Sequence, residues 1–115
     1  MSTRGEPIYL DGNDDMARVA LTRVNTTTGE DEAATGLTGL TFRVAATENG
    51  SAINAALSVA AAEIGTTGEY YAVLQGSDLT TYLATYAGKD VYQVFGDGLN
   101  VNVVVVRQVL PARYA

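Results

Sequence analysis

Asp11, Asn13 and Asp15 alternate along the run Asp11-Gly12-Asn13-Asp14-Asp15, and their spacing suits metal-binding chemistry. Side-chain oxygens two residues apart open a calcium loop because successive ligands then turn toward one centre. That loop also needs a glycine where Met16 stands and a bidentate glutamate where Thr22 stands. A solvated acidic turn is therefore the simpler reading. A calcium site of another kind, with Asp97 or Glu30 contributing, is the competing one.

Other chemistry finds less support. The 115 residues include no His and no Cys, which removes the usual neutral-pH proton shuttle and the best thiolate nucleophile. Lys89 is the single lysine and sits in a turn between Gly88 and Asp90, where a surface charge explains it. Gly36 and Gly39 are followed by neither a phosphate-loop lysine nor a third dinucleotide-motif glycine. No Asp or Glu stands in a context that suggests burial, as a catalytic carboxylate pair would need. The expectation is a protein that is not an enzyme, with no catalytic residue, no metal and no cofactor.

Charge narrows the partners. Seven basic against thirteen acidic residues give a net charge of −6, which disfavours nucleic acid, since phosphate binding works through Lys and Arg. The longest uninterrupted valine run, Val103 to Val106, is strand-sized and far short of the roughly 20 residues that span a bilayer. The opening segment Met1-Ser-Thr-Arg-Gly-Glu-Pro carries no apolar secretory core. Asn25 and Asn49 head glycosylation sequons but read as turn residues.

The elements that position these residues are short strands between turns, in one domain over residues 1–115. A chain of this length buries roughly 65% of its unfolded surface, enough for a core without metals or disulfides. Residues 1–9 read as an N-terminal arm, with a short strand over Ile8 to Leu10. Ala17 to Asn25 alternates, and 25–36 reads as an exposed loop. Leu40 to Thr47 is the clearest strand, with Leu40, Phe42 and Val44 on one face. Asn49-Gly50 predicts a primed hairpin turn. Residues 53–64 carry helical spacing but are read as a strand around 56–60 followed by an irregular step. The segment after Gly68 predicts a strand with Tyr70, Ala72 and Leu74 inward. Residues 77–87 form a short helix capped by Ser77 and closed by Gly88. Strands over 90–95 and 99–110 finish the chain at Pro111. Turns every 8 to 12 residues make this an all-β antiparallel sandwich of six to eight strands with one short helix.

The tyrosines divide. Tyr70, Tyr92 and one or two of the helix tyrosines read as core, with hydroxyls at the rim. Tyr9, Tyr71 and Tyr114 read as contact residues, joined by Arg4, Ile8 and Arg113 on the terminal segments.

Leu40-Thr-Phe-Arg-Val, followed by Gly68-Glu-Tyr70-Tyr-Ala-Val-Leu74 and Val91-Tyr92-Gln-Val94, resembles the small immunoglobulin-like domains of tailed-phage virion proteins across residues 17 to 109. The resemblance implies an immunoglobulin-like β-sandwich and a structural part on the surface of a phage particle, made in the host cytoplasm. Its implied partners are the major capsid protein or other virion proteins, with a homo-oligomer, a trimer foremost. Capsid decoration or cementing is the leading expectation, and a neck, tail or baseplate component the second. A carbohydrate- or cell-surface-binding module is the third, with Tyr71, Tyr82 or Tyr86 stacking on sugars.

Overall fold

A computed structural model of the chain describes residues 3–97 and 102–111. Leu40, Phe42 and Val44 fall at alternate positions along β6 (Thr41–Ala45) and its leading residue, and all three are buried, as their spacing requires. β6 pairs antiparallel with β10 (Asp90–Gly96), which places Phe42 directly opposite Phe95 with ring centroids 4.9 Å apart. β10 pairs in turn with β11 (Asn102–Leu110), and β7 (Ser58–Ala60) lies on the far side of β6. With β1 (Thr3–Arg4), the larger sheet therefore runs β1-β11-β10-β6-β7, and β2 (Ile8–Tyr9) also pairs with β11.

A second sheet faces it. β3 (Asp15–Ala20) and β9 (Glu69–Leu74) pair antiparallel, and β8 (Ala62–Glu63) extends the sheet beyond β9. Ala17, Tyr70, Ala72 and Leu74 point from it into a core shared with Phe42, Val44, Val91, Phe95 and Val109. The fold is an all-β sandwich with one short helix, as expected. Eight of its strands are three residues or longer.

The helix, α1, spans Gly76–Tyr82 and continues as a 3-10 turn over Ala84–Tyr86. Ser77 is not its cap. Gln75 holds the cap position without a side-chain bond, and the Gly76 amide donates instead to Asp14 Oδ1 at 2.8 Å. Gly76 packs against the backbone of Gly12 and Asn13 so closely that a serine-like side chain has no room there. Leu79 and Leu83 turn fully into the core, with Tyr82 and Tyr86 packed at its margin.

Three local expectations change. Gly50 does not adopt positive φ, so Asn49-Gly50 is no primed turn; the Gly50 amide donates to Thr47 O, and β6 and β7 meet through a longer connection. Residues 25–36 are partly strand: β5 (Asp31–Ala33) pairs back on β4 (Thr22–Val24) in a small exposed hairpin. Asn25 Oδ1 accepts from the Thr27 and Thr28 amides at its turn. In 53–64, a 3-10 turn over Ala55–Leu57 precedes β7, so the strand is shorter than expected.

Glycine is required at position 68. Its φ is +78°, and a Cβ there would lie 2.8 Å from the Ala33 Cβ. Gly39 has φ +72° but open space around it. Gly39→Ala should therefore lower unfolding free energy by about 1 kcal/mol from backbone strain alone. Gly68→Ala should lower it by about 3 kcal/mol, because overpacking adds to that strain. Urea denaturation of the two variants measures the difference.

Candidate contact surfaces and the buried clamp

Charge inside a sandwich needs partners, and Arg107 has them. It occupies an inward position of β11, directly opposite Val91 of β10, and is buried. Its Nη1 donates to Asp15 Oδ2 at 2.6 Å and to Gln93 Oε1 at 2.7 Å. Nη2 donates to Asp15 Oδ1 at 2.7 Å and Pro7 O at 3.3 Å, and Nε to Glu6 O at 2.7 Å. All five guanidinium donors are thus engaged, in the planar fork geometry that suits a carboxylate. One side chain ties β11 to β10, to β3 of the opposite sheet, and to the N-terminal segment. Sequence reasoning passed over it. The available signal was a lone arginine at an inward position of a valine strand.

The acidic run is divided among such tasks. Asp15 faces Arg107, Asp14 receives the Gly76 amide, and Asp11 Oδ1 accepts from the Asn13 amide at 3.1 Å. Among the described residues, no three or more Asp, Glu, His or Cys side chains converge on one point. Glu63 acts similarly: its two carboxylate oxygens accept from the Gly36 and Gly68 amides. The Tyr70 hydroxyl, buried, donates to Ala34 O and accepts from the Leu37 amide.

Residues 4–9 are not a free arm. β1 (Thr3–Arg4) and β2 (Ile8–Tyr9) run parallel to β11, with Ile8 opposite Val109 and Tyr9 opposite Leu110. Ile8 is 0% exposed and belongs to the core, so it is no contact residue. Apolar burial worth roughly 2 kcal/mol for such a side chain explains why the segment folds back. Tyr9 is half-buried beside it. Arg4 is exposed but reaches Asp90 through both nitrogens, at 2.8 and 3.3 Å. That hydrogen bond holds the Asp90 carboxyl below the usual carboxylate range. Arg113 and Tyr114 lie outside the described residues.

Tyr71 stands on the outer face of the smaller sheet, opposite Arg18 of β3. Next to that pair, Met16 and Val73 face each other across the strands and are 55% and 41% exposed. Arg18 and Glu69 form an ion pair at 2.8 Å along the same face. The result is an apolar centre with a charged margin. Tyr92 does not fill the core. Its register opposite Ala45 and Val106 puts it on the outer face of the larger sheet, with Val94 and Val104 one step along.

Comparison with protein-family models, curated protein sequences and solved structures finds no match to this chain.

Arg107→Met keeps the aliphatic stem but removes the donors to Glu6 O and Pro7 O. The Gly5 amide, now bonded to Val106 O at 2.8 Å, should then exchange with solvent at least about tenfold faster, as in a locally opened strand. Amides of β9, a core strand, should lose protection only as far as the variant's urea-measured global stability falls. Hydrogen exchange read residue by residue checks both.

Proposed function

We propose that this chain is a non-enzymatic structural protein of a phage particle, a decoration protein that binds the capsid shell and stabilises it. The β6 and β9 sequence patterns support the virion assignment through their resemblance to immunoglobulin-like phage domains. The observation that carries the binding role is the outer face of the smaller sheet. Met16, Val73 and Tyr71 lie side by side there within reach of Arg18 and Glu69, the apolar-centre and polar-margin layout of protein contact surfaces. Methionine and tyrosine are also residue types that such surfaces favour.

The buried polar groups favour the same reading. Arg107, Gln93, Asp15 and Tyr70 are all bonded within the protein, and among the described residues no buried side-chain nitrogen or oxygen is left without a partner. They position strands rather than a substrate. A place in the neck, tail or baseplate uses the same kind of surface, and the particle location distinguishes it. Sugar stacking has weaker support. Tyr82 and Tyr86 pack against the core while Tyr71 stands on the outer face, so they do not build one platform.

The test is co-sedimentation of the purified protein with tail-less shells of its own phage, with electron microscopy of the complex. Regular density across the shell is expected. Met16→Ser combined with Val73→Ser should weaken binding by about tenfold or more, since two apolar contacts are lost. Density at a single vertex would move the protein to the neck. No shell binding would overturn the proposal, and unimpaired binding of the double variant would remove this face from it.

A further inference from the structure

The smaller sheet covers the larger one incompletely. Three strands face five along one path, and the uncovered part lies beside β3. Val103 and Val105 point inward from β11, in register with Phe95 and Gln93, yet both keep partial exposure. An open groove of about 230 Å³ occupies this side of the sandwich. Met16, Ala17 and Arg18 of β3 form one wall, and Gly5 and Glu6 of the N-terminal segment form the other. Gln93, Val105 and Arg107 make its floor.

The β3 wall has a definite hydrogen-bonding character. The Leu21 amide donates to Gly68 O directly across the ladder, which fixes the alternation of antiparallel pairing. Asp15, Ala17 and Val19 therefore direct their backbone groups to β9, and Met16, Arg18 and Ala20 direct theirs outward. Among the described residues, β3 pairs with β9 alone. An unpaired row of amides and carbonyls is a template for another extended chain.

We infer that this groove binds an extended peptide segment of a partner protein, which adds to β3 as a further strand. Its backbone would bond Met16, Arg18 and Ala20, and its alternate side chains would enter the groove over Ala17 and Val105. Valine- or threonine-sized residues at every second position suit the volume and the floor.

The occupant is a single tethered segment rather than a second copy of this fold. Gly5 is itself packed so that a Cβ would lie 2.7 Å from Val105, so the wall is close to the floor. Self-pairing of β3 about Arg18, the middle of its three outward-bonding residues, would also set Arg18 opposite Arg18, a repulsive arrangement. A six-residue strand covers well under the ~800 Å² per partner of a stable free dimer, so its affinity depends on being tethered to a larger body. This inference rests on the groove alone and stands apart from the virion assignment.

The experiment titrates the full-length ¹⁵N-labelled protein with the synthetic peptide Lys-Thr-Val-Thr-Val-Thr-Val-Lys to millimolar concentration. Resonances of the Met16, Arg18 and Ala20 amides should shift, and their hydrogen exchange should slow by about tenfold, as strand addition predicts. The same peptide N-methylated at all three valines and, separately, at all three threonines tests the backbone contacts. One of the two series should bind about tenfold more weakly or worse, because its β3-facing donors are gone. Absence of shifts at the three amides would overturn the inference. So would shifts centred on Val94 and Val104, or equal binding by both methylated peptides.

Discussion

Arg107 is the constraint on which the rest of the arrangement depends. A buried guanidinium is costly to desolvate, and its cost is offset only when every donor has a well-placed acceptor. Here those acceptors come from three separate stretches of chain: β3, β10, and the Glu6 and Pro7 carbonyls of the N-terminal segment beside β11. Satisfying one side chain therefore sets the spacing of the two sheets at this end and holds the first residues in place. Ile8 then enters the core a few residues further on. The N-terminal segment is part of the sandwich for these two reasons together.

The strand interiors were readable from sequence because burial on one face of a strand imposes a period of two. Leu40-Thr-Phe-Arg-Val and Glu69-Tyr-Tyr-Ala-Val-Leu show that period plainly, and their inward residues are buried as it requires. What could not be read were contacts set by distant parts of the chain. Arg107 and Asp15 are 92 positions apart, and nothing local to either names the other. The parallel pairing of residues 3–9 with β11 is of the same kind. The polar opening Met1–Pro7 makes residues 1–9 look like a loose arm until their neighbour is known. Ser77 misled for a different reason: its residue type suits a helix cap, but Asp14, brought from another loop, already serves the first amide.

The candidate contact surface was partly legible. Tyr71 follows the inward Tyr70 and so must face out, and that much follows from alternation. Its neighbours Met16 and Val73 come from registering β3 against β9, which the sequence does not specify. The two proposed binding features then share β3. Its outward side chains contribute to the exposed face, while its outward backbone groups line the groove. A protein that attaches to a larger assembly benefits from having both on one rigid strand, since the Asp15–Arg107 pair fixes that strand to the opposite sheet.

A double-mutant cycle on Asp15 and Arg107 tests the clamp most directly. Stabilities of the wild type, Asp15→Leu, Arg107→Met and the double variant would be measured by urea denaturation. Each single change should cost about 3 kcal/mol or more, because it strands a buried group, and the double variant should cost less than the sum by at least about 2 kcal/mol. Costs that simply add, or single variants within about 0.5 kcal/mol of wild type, would contradict the central place given to this pair.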